Sequence, residues 1–212
     1  MRDKRRSVLL FDWDGTLYDS AVTGFAAFRL TFKELGVSSF TEEFYETHYS
    51  PNWYSMYEAL GLPREQWAGA DRLWLEHYRH QPVSMIPGAY DALQAVVGDG
   101  YRVGLVTSGT HSRIVREIDH LGLNGVFEVV ICNEDVVKKK PHPEGIEKAM
   151  VRLNISAESC SYIGDAPEDI QMGKRASVFT VAVRSAYPTS KHLAATEPDL
   201  LIESIGELLL HF

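Results

Sequence analysis

Two aspartates one residue apart, Asp12 and Asp14, follow the apolar run Val8-Leu9-Leu10-Phe11 and precede Gly15 and Thr16. The apolar run predicts a buried strand. The acids then stand where it ends, at the edge of a sheet where ligands of open α/β folds bind. Side chains alternate along a strand, so a chain that stays extended puts both carboxylates on one side. Carboxylates so close resist ionising together unless a cation or a shared proton intervenes. Taken alone, these residues also describe an N-capped turn after a strand, since Asp, Gly and Thr all favour turns.

Three further segments bear on that choice. Val106-Thr107-Ser108-Gly109-Thr110 closes another apolar run with a hydroxyl and small residues, whose backbone amides can face an anion. A helix starting just after would add a favourable dipole, although a Ser/Thr helix cap is the plainer reading. In Lys138-Lys139-Lys140-Pro141-His142-Pro143, Lys138 and Lys139 read as solvated surface, whereas the prolines stiffen the chain beside Lys140 and fix where its ammonium points. Finally, Ser161-Tyr162-Ile163-Gly164-Asp165 repeats the opening pattern and continues to Asp169. Helix capping by Asp165 alone does not explain why acids gather again at the same sheet edge.

Together these groups match phosphoryl transfer. A hard divalent cation with oxygen ligands, Mg²⁺ above all, would be held by Asp12, the Asp14 backbone carbonyl and Asp165. Asp12 would attack phosphorus to give an aspartyl-phosphate, and Asp14 would protonate the leaving oxygen and later deprotonate water. Thr107, with the amides of Ser108 and Gly109, would hold the phosphoryl oxygens, and Lys140 would offset their charge.

Strand patterns at 7–11, 102–106, 127–132, 161–164 and 178–183 alternate, after the first, with helical patterns at 89–97, 112–121, 143–153 and 168–175. This predicts an α/β fold, a doubly wound, Rossmann-like parallel sheet. Residues 18–84 break the rhythm with helical spacing at 25–35, 42–60 and 64–79, where Gly36 and Gly61 act as stops and Pro51 breaks or kinks the second helix. The expected division is a catalytic core of 1–17 and 85–212 with an inserted all-helical cap of 18–84. Trp13 should face the core, and Trp53, Trp67 and Trp74 should pack inside the cap. Arg29, His48, Asn52, Trp53 and Tyr54 are weaker candidates for contacts to the leaving group. His111 is a candidate for substrate contact or a plain helix start, and His142 is expected on the surface.

The net charge of −8 over 212 residues excludes a general binder of nucleic acid or anionic membrane, which needs a basic face. No segment has the length of a membrane span, and the basic Arg2 to Arg6 is expected to be a solvated leader. Cys132 and Cys160 lie in apolar strand-like contexts without a CxxC pattern and read as buried thiols. A cytoplasmic protein is expected, acting on a small phosphorylated metabolite as a monomer or weak homodimer.

The segments FDWDGTLYDS, VTSGT, KKKPHPEG and YIGDAPEDIQMGKRAS stand in an order that resembles the haloacid dehalogenase superfamily, in particular its phosphoglycolate-phosphatase-like branch. The resemblance spans almost the whole chain. It implies Asp12 as nucleophile, Asp14 as acid/base, Thr107 and Lys140 as phosphate ligands, Asp165 as a magnesium ligand and Asp169 as a more distant metal partner. Ser177 stands where a glycine is frequent in the family. An aspartate at position 14 speaks against dehalogenation. The only cap lysine, Lys33, sits at a solvated helical position and not as a Schiff-base former. A sugar phosphomutase of the same superfamily, a phosphoacceptor signalling module and an inactive binding protein remain as alternatives.

Overall fold

All four residues of β1 (Val8–Phe11) are buried, because the strand lies inside the sheet with neighbours on both sides and helices on both faces. The structure, a computed structural model, describes residues 6–82 and 84–212. Arg2 to Arg5 of the basic leader lie outside that range. Arg6 is not simply solvated: its guanidinium stacks 3.6 Å over the Phe179 ring.

Six parallel strands run in the order β3-β2-β1-β4-β5-β6, with β2 at Arg102–Val106, β3 at Val129–Ile131, β4 at Cys160–Gly164, β5 at Phe179–Val183 and β6 at Leu200–Ile202. The chain steps outward from β1 to β3 and then returns to β4 on the other side of β1. That reversal creates a crevice at the carboxyl ends of β1 and β4, where such sheets bind ligands. Alternation along β1 serves two cores. Leu9 and Phe11 pack with Leu93 of α5 (Ala89–Gly98) and Ile114 of α6 (His111–His120). Val8 and Leu10 pack with Ile146 of α7 (Glu144–Leu153) and Met172 of α8 (Pro167–Arg175). The sixth strand was not expected. It is three residues long and pairs only with β5, through Val181, Ala182 and Val183.

Among the described residues between β1 and α5, the regular elements are four helices, α1 (Ala21–Glu34), α2 (Glu42–His48), α3 (Trp53–Ala59) and α4 (Arg64–Tyr78), with isolated bridges from Tyr18 to Asp14 and Met85. The helix expected across 42–60 is thus two helices. Pro51 lies in the gap, where its missing N–H and its steric restriction on Ser50 end the helical path. Thr41 starts α2 by accepting the Phe44 amide at 3.0 Å. These helices enclose an aromatic core of their own around Phe28, Phe32, Tyr45 and Tyr57, partly covered by Trp53, Trp67 and Trp74, while Lys33 is exposed. They meet the sheet layer where Tyr49 stacks on Tyr187 at 4.7 Å, Ser20 and Tyr187 share a hydrogen bond of 2.8 Å, and Ser50 donates to Glu168 at 2.9 Å.

Both cysteines are buried and unpaired, and burial pushes each thiol up to about 12. No helix among the described residues is long and apolar enough to cross a membrane.

Candidate active site

Asp12 leaves the end of β1 with its amide still held by the Ile163 carbonyl at 2.8 Å, so the first residue past the strand is as rigid as the sheet. One of its carboxylate oxygens accepts from Lys140 Nζ at 2.6 Å, and the same ammonium donates to Asp169 at 2.7 Å. Asp169 is fixed in turn: it sits in the first turn of α8, accepts the Ala166 amide at 3.0 Å and lies 3.2 Å from the Tyr162 hydroxyl. It is therefore a direct neighbour of Lys140.

Asp12, Asp165 and Asp169 are all buried, and each offers a carboxylate oxygen within 4.8 Å of the others. One ammonium faces three carboxylates, so ionising all three would leave two negative charges without a counter-cation. Burial, joined by Asp169 and Asp14, raises Asp12 to about 7 despite Lys140. Asp165 is pushed well up by burial and by its two acidic neighbours. A hard divalent cation with oxygen ligands fits this donor set and its charge deficit. Gly15 is required beside it. Its φ of +79° favours glycine, and a Cβ there would lie 2.2 Å from an Asp165 oxygen.

Asp14 does not turn its carboxylate to that cluster. Arg113 donates to both of its oxygens, one at 2.9 Å and the other as a closer contact. Burial alone would raise Asp14, but the charge and hydrogen bonds of Arg113 outweigh it and hold Asp14 below the usual carboxylate range. Arg113 is buried, and it also lies 3.4 Å from Glu117, which is 0% exposed. Glu117 accepts the Trp13 indole N–H at 2.7 Å, so Trp13 packs into the core as expected and is anchored there.

Sequence reasoning missed Arg113 and Glu117. Their i,i+4 spacing resembles an ordinary exposed helical pair. No local signal marks them: α6 exposes Val115 while burying both charges, the reverse of what residue type alone suggests. Gly109 makes room for Arg113, since a Cβ at that position would meet the guanidinium at 2.6 Å.

Ser108 and Gly109 line the chamber above Asp12 and Asp14. Thr107 lies beneath them, lining a smaller recess with Lys140, and its hydroxyl accepts the Gly109 amide at 3.0 Å. Lys139 is not the solvated residue expected. Its ammonium donates to the carbonyls of Asn133 and Val136 at 2.5 and 3.0 Å, tying down the loop that carries Lys140. His142 is half-buried and its Nδ1 accepts the Glu144 amide at 3.2 Å. His111 opens α6 and pairs with Asp135 at 2.9 Å, outside the chamber. Of the weaker candidates, Trp53 and Tyr54 line the chamber, Arg29 and His48 are exposed on the surface, and Asn52 is not part of the lining.

A carboxylate cluster beside a buried lysine, at the switch point of a doubly wound sheet and under a helical layer, defines a hydrolase class, and residues 9–183 match the family described as haloacid dehalogenase-like hydrolase. The chain belongs to that family. It is 33% identical over 208 residues to the pyrophosphatase PpaX of Listeria monocytogenes, covering 96% of this chain and 94% of that protein. Among solved structures, a predicted phosphoglycolate phosphatase of Haemophilus somnus superposes with a TM-score of 0.87 at 17% identity, covering 98% of both chains. CbbY of Rhodobacter sphaeroides in complex with phosphate gives 0.79 at 22% identity, covering 96% of both. At these identities the two structures speak for the fold.

Proposed function

We propose that the protein is a Mg²⁺-dependent phosphatase that hydrolyses a small phosphorylated metabolite, a phosphomonoester, through an aspartyl-phosphate. The observation that carries this reading is Asp12, held rigidly at the end of β1 between Lys140 and two further buried carboxylates, on the floor of a chamber large enough for a small molecule. Membership of a hydrolase family whose relatives include a pyrophosphatase supports it.

Asp12, Asp165, Asp169 and the Asp14 carbonyl are the groups that would hold Mg²⁺, which supplies neutralisation of the carboxylates and of the phosphoryl oxygens when bound. The free oxygen of Asp12 attacks phosphorus, and the bond from phosphorus to the ester oxygen breaks. Lys140, with the Ser108 amide, offsets the charge on the phosphoryl oxygens, while the Gly109 amide holds the Thr107 hydroxyl in place. To protonate the leaving oxygen, Asp14 must first take up a proton and loosen its pairing with Arg113; ionised again, it takes a proton from the water that cleaves the aspartyl-phosphate. Arg113 favours the ionised carboxylate that this second step needs. Residues 18–84 act as the cap that shuts the chamber during the reaction. The net charge of −8 favours a small-molecule partner over nucleic acid or membrane; on the same reading, the protein acts as a cytoplasmic monomer or weak homodimer.

The test is phosphate release from a panel of esters with and without Mg²⁺, using Asp12→Asn as control. Release that needs the metal and falls by about a thousand-fold or more in the variant is expected. No release from any ester, or full activity in Asp12→Asn, refutes the proposal.

A further inference from the structure

The chamber over Asp12 and Asp14 encloses about 1020 Å³ of empty space, part of it open to solvent, and its two ends differ sharply in charge. At the floor stand Lys140 and Arg113, both from the sheet layer and both already paired with carboxylates. The helical layer contributes no cation to the lining; its only charged lining residue is Asp71, on α4. Nine aromatic side chains also line it, so apart from Asp71 the walls that the helical layer supplies are uncharged.

Asp71 is held in an unusual way. It accepts the Trp53 indole N–H at 2.9 Å and the hydroxyls of Tyr57 and Tyr54 at 3.0 and 3.1 Å. Every one of these donors is neutral, and no salt bridge reaches Asp71 among the described residues. Three hydrogen bonds orient a carboxylate but leave its charge in place, and a fourth acceptor position stays free. Burial, and then the carboxylate itself, lift the Tyr54 hydroxyl to about 12, so that ring stays protonated and neutral. A half-buried carboxylate with no cationic partner, on the wall of a chamber that ends at a phosphate site, can take a positively charged group.

We propose that the chamber selects phosphomonoesters whose leaving alcohol carries an ammonium group, received by Asp71, which Trp53, Tyr54 and Tyr57 hold in place. This rests on the phosphatase reading above and narrows its substrate class. A leaving group with its own carboxylate or second phosphate would face Asp71 with no cation to receive it. In the reaction, the phosphorus–oxygen bond breaks, the oxygen and a proton leave as the amino alcohol, and water supplies the new oxygen of inorganic phosphate.

The experiment compares kcat/KM for phosphocholine with that for 3,3-dimethylbutyl phosphate, a neutral isostere that replaces nitrogen by carbon. Phosphoglycolate and pyrophosphate serve as anionic competitors, and p-nitrophenyl phosphate reports whether the protein is a phosphatase at all. A preference of about ten-fold or more for phosphocholine over the isostere is expected in the unsubstituted protein. In Asp71→Asn, whose Oδ1 still accepts from Trp53 and Tyr57 and whose amide can donate to the Tyr54 hydroxyl, the same ratio should fall to within about two-fold. A purely structural Asp71 would change both rates together and leave the ratio alone. Choline, without phosphate, should also quench tryptophan fluorescence more tightly than 3,3-dimethylbutanol. Turnover of p-nitrophenyl phosphate with no preference between the isosteres, or with pyrophosphate or phosphoglycolate favoured, overturns the substrate class and leaves the phosphatase standing. No turnover of any ester overturns both.

Discussion

Replacing Arg113 by methionine tests whether the buried charges of α6 act as one unit. Arg113 is 6% exposed, binds both oxygens of Asp14 and lies 3.4 Å from Glu117. At an effective dielectric near 20, a unit pair about 4 Å apart is worth about 4 kcal/mol. Desolvation of each ion costs several kcal/mol, so the intact trio adds little net stability. Removing only the cation is different. Glu117 then keeps only the Trp13 indole at 2.7 Å and the partly exposed Arg116 at 3.6 Å, while Asp14 loses its partner. The expected cost is about 3–5 kcal/mol. For a chain of this size that lowers Tm by about 10 °C. Thermal and urea unfolding of Arg113→Met and of the double variant Arg113→Met/Glu117→Gln supply the check. The double variant should be the more stable of the two, because glutamine still accepts from Trp13 and only Asp14, instead of Asp14 and Glu117, is left uncompensated. A single variant that loses less than about 1 kcal/mol, or a double variant that is worse than the single, refutes the reasoning.

The carboxylate cluster predicts a pH-dependent response to metal. Asp12 moves from 3.8 to about 7 on folding, so the metal-free protein has this stabilising contribution in full below 3.8 and loses it as pH rises to about 7. Metal binding requires the ionised form, so Mg²⁺ should raise Tm more at about pH 8 than at about pH 5.5, and an equal shift at both contradicts the assignment. Gly15→Ala should abolish that Mg²⁺ response, since its Cβ would collide with Asp165; a retained response in a folded variant counts against the site. With their thiols pushed up to about 12 by burial, Cys132 and Cys160 should react with a disulfide reagent only after unfolding, and fast labelling of the native protein would exclude that burial.

Local pattern carried much of this protein. The alternation of apolar runs and helical repeats is set by near-neighbour chemistry, and so are the strand ends that deliver Asp12, Thr107 and Asp165. Pro51 broke the helical layer where its missing N–H says it must. Short-range rules failed where a residue's role depends on what docks against it. β6 is three residues whose strand state comes from pairing with β5. Lys139 looked solvated until the loop folded its own carbonyls around the ammonium. Arg113 and Glu117 have the spacing of a surface pair, and only the docking of α6 under Asp14 turns them inward. Asp71 likewise becomes the one charge on the helical side of the chamber only when α3 and α4 close around it. Periodicity and turn chemistry are written residue by residue along the chain. Burial of a charge is a property of two surfaces meeting, and its sign and partners exist only after they have met.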